Sequence, residues 1–256
     1  MQFNNFSNDL KAEDLVTDWF TKNFSNKKPF LTKRDDYTHY YEKQVGEPSI
    51  EKIEKVTDAS LQEKGVDLLI TSKQLFGDEK EHKVDIKSAI NYIKPVRDAN
   101  GNRPNSLPTF AFELYFKNGY GNERDGWLYS EKYCDTEYYI VSWLWANVQP
   151  EYDPKGFLKN VEIEKLNIEN IAEIEFLVIE KKRIQEHATK IGITKENFRD
   201  ISKEMWKNNI TKKPEYDADE YLRYSNTLME KPVYLIIKKK KLRKVFGNTW
   251  IIQSIN

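Results

Sequence analysis

Apolar residues first fall at helical spacing between Asp9 and Phe24, where Leu15, Val16, Trp19, Phe20 and Phe24 cluster on one face. The spacing predicts an amphipathic helix there. Residues 25–60 keep no period, broken by Asn-Lys-Lys-Pro and Gly-Glu-Pro, and no firm element is read in them. Three short runs rich in β-branched and aromatic residues follow: VDLLIT (66–71), HKVDIKSA (82–89) and TFAFELYF (109–116). Each predicts a strand. Between the last two, residues 91–108 are polar and rich in Pro, Gly and Asn, which predicts a long exposed loop. A fourth strand is expected at 136–145 (TEYYIVSWLW), after the turn-rich GYGNERDGW.

Beyond Gln149-Pro150 strand and helix patterns alternate. Residues 173–179 read as a strand, 180–191 and 195–208 as helices, 216–228 as a third helical stretch and 233–238 (VYLIIK) as a last strand. The run Phe176–Ile184 is echoed in type by Tyr234–Leu242. A duplicated strand–helix unit would produce this, but a buried strand running into a basic turn accounts for it more simply. The fold class expected is α/β, a mixed central sheet flanked by helices. A core is expected over 1–190, with 191–256 as an α/β extension packed on it.

Composition narrows the function classes. Apolar residues at 39% and aromatics at 13% suit a globular chain and exclude a disordered one. No apolar run reaches the roughly 18 residues of a membrane span, and the start of the chain lacks the basic and apolar regions of a secretory signal. The lone Cys134 leaves no internal disulfide framework and no multi-cysteine zinc site, and His39, His82 and His187 are too scattered for a histidine-built one. A soluble, cytoplasmic protein without membrane contact is expected. Lys+Arg and Asp+Glu both total 41, which argues against a simple coat for nucleic acid. It leaves room for an enzyme whose metal-binding acids and phosphate-binding bases cancel. Residues 231–248 hold seven basic residues and no acid, so basicity is local.

The candidate chemistry lies in HKVDIKSA. In a strand, Asp85 and Lys87 project from one face while Val84 and Ile86 project from the other. Charges in so apolar a strand are costly to bury without a purpose. Asp67, flanked by Val66 and Leu68, puts a second acid on the preceding strand. Two such carboxylates, with the backbone carbonyl of Ile86, suit magnesium, which takes one or two carboxylates and keeps several waters. A cation so held activates water and stabilises phosphodiester hydrolysis. A lysine beside it, its pKa depressed by the cation, can orient or deprotonate that water.

Helix, acid-bearing strand and Asp-Ile-Lys strand together resemble the PD-(D/E)XK nuclease superfamily over residues 9–145. Asp67 matches the first acid and Asp85-Ile86-Lys87 the acid–X–lysine; Val66 stands where the family name has proline. The resemblance implies a restriction endonuclease-like core and a Mg2+-dependent endodeoxyribonuclease, with Mn2+ as a substitute. A restriction-type enzyme acting on double-stranded DNA as a homodimer is the reading it favours. Some members carry a glutamate on the first core helix, a part that Glu13 could play, and Glu113 could also line the site. A junction resolvase or repair nuclease is the alternative, as is a nucleic-acid-binding protein that kept the fold without catalysis.

The tripeptide alone says little, since it recurs at Asp78–Lys80, Glu81–Lys83, Asp153–Lys155 and Glu180–Lys182. The first two are assigned to a polar connection, Asp153 precedes a proline and Glu180 ends a strand. Lys238, Lys239, Lys240, Lys241 and Arg243 are candidate DNA contacts through counterion release, although lysines also protect strand edges. Trp127, Tyr138, Tyr139, Trp143 and Trp145 are read chiefly as core, with base stacking as the functional alternative. No glycine-rich phosphate loop and no nucleophile elbow is visible.

Overall fold

A computed structural model describes residues 6–26, 31–34, 41–43, 50–154, 156, 158–159, 161–213, 219–247 and 249–253. His39, Lys155 and part of the unassigned 25–60 stretch lie outside them. The helices are α1 (Phe6–Asn26), α2 (Ala59–Glu63), α3 (Lys73–Phe76), α4 (Lys181–Lys190), α5 (Phe198–Lys207) and α6 (Lys239–Phe246). Strands β1 (Leu31–Arg34), β2 (Tyr41–Lys43), β3 (Lys52–Lys55), β4 (Leu68–Thr71), β5 (Glu81–Lys87), β6 (Ile93–Pro95) and β7 (Thr109–Lys117) occupy the first half. Strands β8 (Glu123–Asp125), β9 (Tyr138–Ala146), β10 (Ile171–Glu180), β11 (Lys212–Lys213), β12 (Glu220–Tyr224), β13 (Val233–Lys238) and β14 (Thr249–Gln253) complete the set.

The class is α/β, but the strands form two sheets. The larger runs β2-β1-β14-β10-β9-β5-β4-β3, with β6 also beside β9; the smaller runs β11-β12-β13-β7-β8. The larger sheet is mixed, because β5 and then β6 lie parallel to successive parts of β9. One face packs α1 through Ala12, Val16, Trp19 and Phe20 against Val84, Ile86, Ile140 and Phe176. The other face, bearing Tyr139, Val141, Trp143 and Leu177, packs against Phe110, Phe112, Leu235 and Ile237 of the smaller sheet. The expectation of one central sheet between helices is corrected here: a second sheet covers much of the face opposite α1. No helix of the described residues is long and apolar enough to cross a membrane.

Three further expectations change. The 216–228 stretch holds strand β12, in which Glu220, Leu222 and Tyr224 are buried while Arg223 is exposed. That is a period of two, stabilised by pairing with β13, and it overrides a weak helical pattern. The 91–108 loop starts inside the core, with Tyr92 and Ile93 buried and β6 paired to β9. Glu81–Lys83 belongs to β5 itself, not to a polar connection; its charges pair at the surface with Lys52 and Asp135. The echoed segments both fold as strand then helix, β10–α4 and β13–α6, but their strands lie in different sheets.

Candidate active site

β5 alternates as its sequence requires. Val84 and Ile86 enter the core beneath α1, while Asp85 and Lys87 take the opposite face beside Tyr139 and Val141 of β9. β5 leaves β9 after Lys87, and a short turn at Ile90–Tyr92 intervenes before β6 resumes the pairing. The candidate site sits at this break.

Asp67 stands one residue before β4 and is fixed by its own backbone: its N–H donates to the Val84 carbonyl at 2.9 Å and its carbonyl accepts from the Val56 N–H at 2.9 Å. Its Oδ2 accepts the N–H of Ile86 at 2.7 Å. A residue in a strand directs its N–H and C=O to the same side, so the Ile86 carbonyl faces the side from which Asp67 arrives. Asp85, with 2% of its side chain exposed, lies 2.7 Å from the Lys87 ammonium. Its Oδ2 is buried and has no hydrogen-bond partner among the described residues.

Glu13 reaches the cluster from α1, its Oε1 accepting from Lys87 Nζ at 3.5 Å across 74 residues of chain. One turn earlier on the same helix, Asp9 accepts the N–H of Ile90 at 3.1 Å. Glu113 comes from β7 of the smaller sheet. It is accommodated because residue 126 is glycine: a Cβ there would meet the Glu113 carbonyl oxygen at 2.5 Å and its Cγ at 2.7 Å. The next residue, Trp127, has its ring 5.7 Å from Lys87 Nζ.

Two carboxylates thus share one ammonium in the field of a third, and the electrostatics follow. Burial, reinforced by Asp67 and Glu13 and opposed by Lys87, holds Asp85 well above the usual carboxylate range. Burial also raises Glu13 to about 8 against the pull of Lys87. Glu113 rises to about 7 and Asp9 to about 6, in each case foremost through burial. For Lys87 burial disfavours the charge, but Asp85, Glu13 and Asp67 outweigh it and hold the ammonium well above its ordinary value. A depressed Lys87, expected when a cation is bound, is therefore not the state of the protein alone.

The donor set fits a hard divalent cation. It offers an excess of buried carboxylate, an orphaned Asp85 oxygen and a backbone carbonyl directed to the Asp67 side. Among the described residues no group of three or more His, Cys, Asp or Glu is arranged to hold a metal ion. The fit therefore rests on two carboxylates, the carbonyl and water.

The basic run is not brought to this site. Lys238 and Lys240 pair with Asp219 at 3.1 and 2.5 Å, and Lys241 with Glu220 at 3.4 Å. Lys239 and Arg243 are buried against Glu175. Tyr139, Trp143 and Trp145 are buried core.

Tyr133 belongs to the site and left no mark in the sequence. Burial raises its phenol, which also feels the charges of Lys87, Asp85, Glu113 and Glu13. Its ring packs so close to Gly65, at φ +80°, that a Cβ there would meet Tyr133 Cδ1 at 2.6 Å. The Thr136 hydroxyl donates to the Gly65 carbonyl at 2.6 Å, so the approach to Asp67 is clamped from two sides. No family model matches the chain, and no curated protein or solved structure matches it.

Proposed function

We propose that this protein is a magnesium-dependent nuclease that hydrolyses DNA phosphodiester bonds at a restriction endonuclease-like centre made by Glu13, Asp67, Asp85 and Lys87. The observation that carries the reading is the buried Asp85–Lys87 pair, with an Asp85 oxygen left unpartnered and Glu13 brought to it from a distant helix. A purely structural ion pair needs no second and third carboxylate, and each one added raises the cost of the buried charge.

Asp67, Asp85 and the Ile86 carbonyl would hold the magnesium, which supplies Lewis-acid stabilisation of the phosphoryl oxygens and a more acidic bound water. With Asp85 engaged in holding the ion, Lys87 would keep Glu13 as its partner and be less tied to Asp85. Its Nζ can then orient a water or hydrogen-bond a phosphoryl oxygen as charge develops there. Glu13, one hydrogen bond from Lys87, fixes the ammonium and is the nearest group to receive a proton. The Trp127 ring, 5.7 Å from Lys87 Nζ, borders the ammonium.

Incubation of plasmid DNA with the protein and magnesium, beside Asp85→Ala and Lys87→Ala, tests this. Cleavage by wild type alone is expected. Discrete fragments mark a sequence-specific endonuclease, and cleavage confined to branched DNA marks a resolvase. DNA that is bound but left intact with magnesium and manganese overturns the catalytic reading in favour of a binding protein.

A further inference from the structure

Residues between Tyr129 and Cys134, helix α4 and the turn after it line an open cavity of about 1020 Å³ that contains none of the carboxylate cluster. Tyr133 links the two: its ring packs against Gly65, two residues before Asp67, while its backbone carbonyl accepts a hydrogen bond from Lys181 Nζ in the cavity lining. Lysines 181, 182, 190 and 195 all line the cavity. Two are neutralised locally, Lys195 by Glu131 at 3.0 Å and Lys182 by Glu186 at 4.0 Å. The remaining acid, Glu196, is engaged by the Thr194 hydroxyl.

Lys181 and Lys190 differ from those two. Neither makes an ion pair among the described residues. Lys181 is half-buried, and burial lowers its pKa. The core cations of this protein are each given a carboxylate, Lys87 by Asp85 at 2.7 Å and Lys239 by Glu175 at 2.5 Å. Lys239 occupies in its strand–helix segment the place that Lys181 occupies in the echoed one. Lys181 has only a neutral carbonyl, so an anion in the cavity would gain its full charge at no loss of an existing pair. The volume lies at the top of the roughly 300–1,000 Å³ range of small-molecule sites, more than a lone oxyanion needs.

We propose that this cavity takes the sugar–phosphate backbone of the DNA strand being cut, on one side of the scissile bond, with Lys181 and Lys190 contacting its phosphates. This rests on the nuclease reading and adds the route of the substrate strand.

The test uses the full chain carrying Asp85→Asn, so that binding is measured without cleavage, and a fluorescein-labelled DNA duplex followed by anisotropy over a range of salt. Adding Lys181→Gln with Lys190→Gln should weaken binding at least fivefold and flatten the salt dependence by about two phosphate contacts, each worth roughly 0.9 in the log–log slope. Lys52→Gln, on the exposed edge strand β3, should change neither. Lys190→Glu alone, at an exposed position where folding is not at stake, should weaken binding in the same direction. Unchanged affinity and slope in both cavity variants overturn the proposal; the nuclease reading then still stands if wild type cleaves. A wild type that neither binds nor cleaves overturns both.

Discussion

Glu175 on β10 and Asp85 on β5 are both buried carboxylates of the larger sheet, with 0% and 2% of their side chains exposed, and each has a lysine within hydrogen-bonding reach. Register carries both to the face covered by the smaller sheet, Glu175 opposite Trp143 and Asp85 opposite Tyr139. Their surroundings are inverted. Glu175 is held by two cations, Lys239 at 2.5 Å and Arg243 at 2.7 Å; Lys239 also meets Ser106 and the Trp143 ring. Asp85 shares its one cation with Glu13, lies in the field of Asp67 and keeps an oxygen with no partner. A buried ion pair by itself therefore says little about function. The sign of the surplus does: an excess of acids around one base, as at Asp85, calls for a further cation, whereas the excess of bases around Glu175 does not.

Substitutions should separate the two clusters. The largest effect expected is on cleavage: Asp85→Ala and Lys87→Ala each lower the rate by about a thousandfold or more, on the order of 4 kcal/mol of transition-state stabilisation. Glu175→Gln retains cleavage by the molecules that stay folded. An equal rate loss in all three would erase the distinction. Stability should respond the other way round. Glu175→Gln strands two buried cations and costs about 3–5 kcal/mol, a fall in Tm on the order of 10 °C. Asp85→Asn removes only a surplus acid, so Tm in metal-free buffer holds or rises; thermal denaturation of the pair decides.

A smaller effect is expected from metal. Magnesium or manganese at about a hundred times its Kd should stabilise wild type by roughly 2.7 kcal/mol and leave Asp85→Asn unmoved. Equal shifts in both would place metal binding elsewhere. The smallest effect is on pH dependence. Glu13 binds its proton more tightly folded than unfolded, its pKa raised from 4.5 to about 8. The folded state then holds the extra proton between those values, and stability falls as pH rises through that window. Metal-free protein should thus melt lower at pH 9 than at pH 6, with a flatter profile in Glu13→Gln. A metal-free profile that rises over this range would show that Glu13 is not held in a surplus of acid.

Elements with a strong local period were legible before the fold was known. The stripe Leu15, Val16, Trp19, Phe20 gave α1, and the alternation in HKVDIKSA put Asp85 and Lys87 on one face with Val84 and Ile86 on the other. Elements made by pairing were not. β12 is a strand because β13 offers it a partner, and β3 and β14 sit in stretches without a clear period. The basic run shows the same limit. Seven bases in eighteen residues read as a charged surface, yet helical spacing turns Lys239, Leu242 and Phe246 inward, and Glu175 pairs with two of the bases.

The sequence by itself determined which side chains share a strand face, because a period of two follows from backbone geometry and needs no neighbour. It also set the unusual apolar company of Asp67, Asp85 and Lys87. Only the tertiary structure decided how many charges meet there. Glu13 arrives from 74 residues away, Glu113 comes from another sheet, and Tyr133 arrives through a glycine that leaves room for its ring. Such meetings depend on which elements pack together over long loops, and no local pattern of residues encodes the count of charges on which the site depends.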